Sequence, residues 1–237
     1  MKLQEGDKGV ALYLTGGKSM AAHTSIFRIE DGIRYERLER HHLAEAIPCL
    51  CTEFSAREPM TRALALSVAD LEPLVTLVCQ QAVRDGLSIA AVEAASHVLV
   101  GCLIAHDFAT PLAEGLDAMV GRLAPILALL DTLEARFLEG RTLVPRTYLH
   151  VFMAVSRVPQ RGIYTTLRHE VHRQAKALGF QWVVGEPTGP ISQHVLVQKF
   201  GHQVAAEVSY ADFEFQGGRV FQVITTPRAC LLTVGAL

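Results

Sequence analysis

Apolar and polar positions along the chain change period several times, and each change marks an element. Residues 9–15, "GVALYLT", and 24–38, "TSIFRIEDGIRYERL", alternate closely enough to predict two strands around a Gly16–Gly17 turn. From Leu38 to Phe54, "LERHHLAEAIPCLCTEF" places apolar residues at helical spacing, and "LEPLVTLVCQQAVRDG" does so again. Between these helices Pro59 ends or bends the first one, because proline cannot continue a helical ladder. "LSIAAVEAASHVLVGCLIAHDF" is two apolar runs around a polar centre, the pattern of a hairpin. Residues 111–138 form one or two amphipathic helices interrupted near Pro125. A strand "TYLHVFMAVS", a helix over 162–178 and a strand "QWVVGEP" follow. A short helix over 190–200 then precedes two strands, "AAEVSYADFEF" and "FQVITT". The order predicts an α/β fold on a mixed sheet, with one crossover after the strand that ends before Arg157.

Composition narrows the function classes. The 237 residues are 50% hydrophobic and 19% charged, as in an ordinary globular protein. A net charge of −2 gives no support to a nucleic-acid partner. The first residues lack the apolar run of a signal peptide, and the longest apolar stretch, near "HVLVGCLIA", is too short to span a bilayer. A cytoplasmic protein with no membrane partner is expected. Five scattered cysteines, at 49, 51, 79, 102 and 230, read as buried thiols in a reducing compartment. "TGGKS" is no P-loop, since the glycine required five positions before Gly17 is Leu12. His41 and His42 are adjacent and expected to diverge, and His169 and His172 lack a third ligand and read as solvated surface. No metal is expected.

Residues 157–180, "RVPQRGIYTTLRHEVHRQAKALGF", carry the strongest functional signal. The helix opens after Pro159, Gln160, Arg161 and Gly162, none of them a good side-chain cap, so its first amides are left without a partner. Ile163, Leu167, Val171 and Leu178 form the expected core stripe. Five Arg or Lys against one acid, Glu170, add a local positive field, and Gly162 permits close backbone approach. Those features fit a phosphate site, and equally a basic helix whose first amides meet water.

"MAVSRVPQRGIYTTL" followed by "AKALGF" resembles the cofactor motif of the GNAT acyltransferases. "VLVQKFGHQ" resembles that family's later Tyr-x-Lys-x-Gly-Phe segment. "FSAREPMTRALAL" and the hairpin after it resemble the arylalkylamine N-acetyltransferase-like branch, which carries a Glu-Pro-Leu/Met sequence and a helical insertion like 111–138. Two positions depart from the pattern. Pro159 stands where Gln or Arg is usual, leaving Arg157 or Gln160 for that role, and Tyr164 replaces a small residue.

The resemblance implies a GNAT-type, mostly antiparallel sheet flanked by helices in a domain over 34–237. Residues 1–33 would form a β extension that adds edge strands or mediates self-association into a homodimer. It also implies acetyl-CoA as co-substrate. Its pantetheine would pair with the backbone of Met153, Ala154 and Val155, and its pyrophosphate would meet Gln160, Arg161, Gly162, Ile163, Tyr164 and Thr165. Glu58, from the Glu-Pro motif, would be the general base. A residue before proline is pushed out of the helical region, which projects its carboxylate from a helix end; an exposed glutamate beside Arg57 is the bland alternative. The family's usual tyrosine acid falls on Val197, so Ser192 is the nearest hydroxyl, in competition with a helix-capping role.

The implied activity is acetyl transfer to a small primary amine. A protein that binds CoA without transferring is the alternative, and a longer acyl chain is a third. Segments 52–66 and 106–140, rich in Leu, Ala and Met, hint at an apolar or aromatic amine but equally describe packing.

Overall fold

A computed structural model describes residues 26–116, 121–158 and 161–237. The expected strand over 9–15 and the Gly16–Gly17 turn lie outside the described residues, as do Pro159, Gln160 and residues 117–120.

Eight strands form one sheet: β1 (Ile26–Glu30), β2 (Ile33–Arg37), β3 (Ile89–Glu93), β4 (Leu99–Asp107), β5 (Tyr148–Ser156), β6 (Trp182–Gly185), β7 (Gln203–Ser209) and β8 (Ala229–Ala236). Their order is β1-β2-β3-β4-β5-β6-β8-β7, and only β5 and β6 run parallel. That pair is joined by helix α5 (Ile163–Ala177), the single crossover expected from the sequence. Residues 24–38 are not one strand but a hairpin. Asp31 and Gly32 take φ of 48° and 74°, the left-handed pair that a tight two-residue hairpin turn needs.

The sheet is covered on both faces. Helices α1 (Leu43–Arg57), α3 (Val68–Asp85) and α4 (Ala124–Leu138) pack on one, with Leu50, Val75, Leu129, Ile104 and Met153 in a common core. Helix α5 packs on the other through Ile163, Leu167, Val171 and Ala175 against Leu103, Leu149 and Val151. Leu178, expected in that stripe, caps the end of α5 and is exposed; the chain turns there, at Gly179 with φ 88°, and Ala175 is the last core residue.

Local sequence sets the helix ends. Ser67 and Asp70 close a reciprocal capping box at the start of α3, and Gly86 ends it at φ 67°. α1 starts at Leu43, after a 3-10 turn over Arg40–His42, and ends at Arg57 because Pro59 forces Glu58 into the extended region. A five-residue helix α2 (Pro59–Ala63) follows at once. Pro125 opens α4 rather than breaking it. The helix expected over 190–200 is a single turn, α6 (Pro190–Gln193), running into a π-helical turn over His194–Lys199.

The C-terminal strands differ from the expected ones. β7 ends at Ser209, and residues 221–226 are turns rather than a strand. Phe221 there is fully buried against Phe213 and Tyr210, while Val223 is exposed, so "FQVITT" anchors a loop. The final strand is β8, between β6 and β7.

Gly101 on β4 fixes how closely α5 and β5 approach. A Cβ there would lie 2.8 Å from the Val155 carbonyl oxygen and 3.1 Å from Ile163. Gly101→Ala is expected to lower stability by about 1–3 kcal/mol in urea denaturation, since the nearest atom is backbone and cannot rotate away.

Candidate active site

The sheet opens at its centre. β5 and β6 pair only from Tyr148 to His150 against Trp182 to Val184; β5 then continues to Ser156 while β6 stops at Gly185. On its other edge β5 stays paired with β4 through Ser156. Met153, Ala154 and Val155 therefore lie beyond the parallel pairing, with their β6-side edge unmatched by any described strand. A bulge at Phe152, where Ile104 opposes Met153 but Ala105 opposes Val151, reverses the side-chain alternation. Val151 and Ala154 consequently face α5, and Phe152 and Met153 face the opposite core.

A cavity of about 130 Å³ occupies this gap. Tyr164 and Arg168 of α5 line it on one side of the sheet. Glu58, Met60 and Thr61, with apolar walls from α1, α3 and α4, line it on the other. Glu186, Thr188 and Ser192 close it beyond β6.

At the α5 end, the sequence expectation of an uncapped helix holds. Gly162 takes φ 70° at the N-cap and no described side chain caps the first turn, whose amides at Ile163, Tyr164 and Thr165 have no intrahelical acceptors. The positive field is partly answered. Arg161 donates to the Asp31 carbonyl at 2.8 Å and faces Glu93 at 3.5 Å, while Arg173 and Arg28 pair with buried Glu170. Tyr164 turns its ring beneath Arg168, 5.3 Å from the guanidinium carbon, and its hydroxyl accepts from Arg168 Nε at 3.2 Å.

At the other end Glu58 is buried, with 8% exposure. Its oxygens accept from the amides of Met60 at 3.0 Å and Thr61 at 2.6 Å, so it caps α2 while facing the cavity. Burial raises its pKa, opposed by the Thr61 and Met60 amides and by Thr188. Ser192 also lines the cavity, but its Oγ donates to the Gly189 carbonyl at 2.9 Å and accepts from the Gly189 amide at 3.3 Å.

A polar cluster sits behind the wall. His150 bonds Glu186 Oε2 at 2.6 Å through Nε2 and His106 at 2.8 Å through Nδ1. Burial disfavours charge on His150, but Glu186 outweighs it, and the pKa is raised. Burial, then His150, lowers His106 to about 3. Glu134 on α4 is pushed up to about 7, chiefly by burial. Donor atoms of Glu134, His150 and Glu186 lie within 4.8 Å of one another, as do those of Glu36, His41 and His42. His41 and His42 thus do not diverge as expected: the 3-10 turn brings their rings to 3.8 Å between centroids. His172, expected in solvent, is half-buried against Phe200 and His202, and its pKa falls to about 3 by burial.

Sequence reasoning named Glu58, Met153, Ala154, Tyr164 and Ser192, which line this cavity, but not Arg168 or Glu186, nor His150 behind its wall. A signal for Arg168 was present. It lies one helical turn beyond Tyr164, next to core residue Leu167, where a cation is unusual.

No family model matches the chain. Solved structures do. The C-terminal condensation domain of Ebony in complex with beta-alanyl-dopamine is similar at TM-score 0.78 and 16% identity, over 86% of this chain and 99% of that one. Arylalkylamine N-acetyltransferase 2 from Aedes aegypti is similar at 0.72 and 19%, over 87% and 99%. Polyamine N-acetyltransferase from Drosophila melanogaster, which forms N-acetylagmatine, is similar at 0.68 and 20%, over 86% and 100%. The mixed eight-stranded sheet with its parted central strands is the GNAT fold. No helix among the described residues is long and apolar enough to cross a membrane.

Glu134 gives a stability test. Its carboxyl ordinarily titrates near 4.5 and is held at about 7 in the folded protein, so the unfolded chain loses its proton first as pH rises. The folded state loses stability across that window. Glu134→Gln should gain about 1–3 kcal/mol on the wild type between roughly pH 5 and 8 in urea titrations.

Proposed function

We propose that the protein is an acetyl-CoA-dependent N-acetyltransferase acting on a small primary amine. The observation that carries this reading is the cavity in the β5–β6 gap, which has an uncapped helix start near one end and a buried carboxylate at the other. A thioester threaded through the gap would meet an amine seated on the Glu58 side without either crossing the other's path.

Each part has a physical role. The amides of Ile163, Tyr164 and Thr165, with Gly162 and Arg161 beside them, suit the CoA pyrophosphate; Gln160 is assigned there from the sequence alone. The unpaired edge at Met153, Ala154 and Val155 can bond the pantetheine amides as an added strand would. An amide of that edge can also meet the oxyanion of the tetrahedral intermediate. Glu58, with its pKa raised, is suited to take the proton that the amine sheds on attack. Ser192 could protonate the departing sulfur only by giving up its bond to the Gly189 carbonyl.

The apolar wall on the Glu58 side, with Phe54, Leu74, Val75, Ile126 and Leu130, favours an acceptor with an apolar or aromatic body. Amines handled by the similar structures, beta-alanyl-dopamine and agmatine, fit a pocket with an apolar wall and a carboxylate end.

Isothermal titration with CoA and a thiol-release assay over arylalkylamines and diamines test the reading. Binding of CoA and amine-dependent thiol release are expected, and absence of CoA binding at millimolar ligand overturns it. Glu58→Gln should lower kcat about 10²–10⁴-fold with CoA affinity unchanged, and should abolish the rise of rate with pH. Full turnover across about pH 6 to 9 in that variant would remove Glu58 from the mechanism.

A further inference from the structure

Arg168 is the charged group in the cavity least accounted for. It is 5% exposed, and its Nη1 is buried with no hydrogen-bond partner among the described residues. No carboxylate among the described residues lies within ion-pair distance of it. A buried cation left unpaired is costly unless a ligand supplies the counter-charge. Its placement indicates which charge. Nη1 sits 3.8 Å from where a Cβ at Gly185 would lie, and that same Cβ would be 3.0 Å from the Val151 carbonyl. The guanidinium therefore stands in the mouth of the gap, where β5 and β6 part. Tyr164 holds it from below by stacking and by accepting from Nε, which leaves Nη1 free.

We infer that Arg168 is an anion-receiving group for the sulfur of CoA, stabilising the thiolate as it leaves. The inference rests on the acyl-transfer reading and adds the group that reading lacks, since Val197 cannot donate and Ser192 is engaged elsewhere. The step balances. The amine nitrogen bonds to the carbonyl carbon, and its proton passes to Glu58. The tetrahedral intermediate then collapses with cleavage of the C–S bond, and the electron pair moves to sulfur beside the guanidinium. The thiolate takes up one proton after release, so that acetyl-CoA and amine become amide and CoA thiol. A cation fixed where charge develops needs no reorganisation at that moment.

His150, His172 and His202 surround the guanidinium closely enough for its charge to disfavour theirs, and Glu186 lines the same cavity. Their titration would shift any activity profile, so the direct readout is the CoA thiol itself. Ultraviolet difference titration of bound CoA follows thiolate absorbance without an acceptor. An opposite charge within a few ångströms lowers a pKa by about 1–3 units. Bound CoA is therefore expected to ionise at least about one pH unit lower on the wild type than on Arg168→Met, with Arg168→Lys between. Circular dichroism and CoA titration establish that each variant folds and binds. Should Met prove unfolded, the comparison of wild type with Lys and with free CoA decides. In turnover with an arylalkylamine that bears no carboxylate, Arg168→Met should lose about 10–1000-fold in kcat with little change in acceptor KM.

Equal thiol titration on wild type and variant overturns the inference while leaving acyl transfer standing. A loss seen only as raised KM for carboxylate-bearing acceptors also overturns it, by assigning Arg168 to the acceptor. If the wild type binds no CoA, the acyl-transfer reading itself falls.

Discussion

The parting of β5 from β6 is the constraint on which the rest of the molecule depends. Three residue pairs hold these parallel strands together before β6 ends at Gly185 and the chain turns through Pro187. A longer β6 would satisfy the edge of β5 and fill the centre of the sheet. Instead β5 is held from one side by β4, and the bulge at Phe152 lets one strand serve two cores of opposite parity. Gly101 and Gly185 keep backbone and side chains close around the opening, where any added Cβ would meet a carbonyl at 3.0 Å or less. The gap is thus braced by packing, although no described residue fills it.

Charge is distributed around the gap with the same economy. Glu58 is buried but capped by two amides, which moderates the penalty of its desolvation. Glu186 is buried against His150, which leans in turn on His106. These two bonds fix the orientation of the His150 ring, since both of its nitrogens are engaged. Arg168 differs, being held by an uncharged phenol that satisfies one nitrogen and positions the rest. The contrast between a matched acid–base pair and an unmatched cation is what separates supporting groups from those that await a ligand.

Much of the fold was legible because it follows local rules. The hairpin over 87–108, the β5–α5–β6 crossover and the boundary at Pro59 are written in periodicity and proline chemistry. Errors came where tertiary contacts override alternation. "FQVITT" alternates like a strand, but Phe221 inserts into the core beside Tyr210 and the backbone is left to turn. Residues 24–38 looked continuous because Asp31–Gly32 is a turn only two residues long. In the site, the opening of α5 was legible from its uncapped start at Gly162, whereas Glu58 came from the resemblance of its Glu-Pro sequence to the arylalkylamine N-acetyltransferase-like branch. Glu186 and His150 could not be found, since their pairing spans 36 residues and depends on which strands become neighbours.

The walls of the cavity come from separate parts of the chain. Helices α1, α3 and α4 supply the apolar lining through Phe54, Leu74, Val75, Ile126 and Leu130, whereas the strand edge and α5 supply the opposite end. The amides after Gly162 belong to the other face of the sheet, so exchanges among the half-buried lining residues of those helices, Phe54, Leu127 and Leu130, act on the apolar wall and not on the start of α5. Selectivity for one partner can drift, or be engineered, while the grip on the other stays fixed.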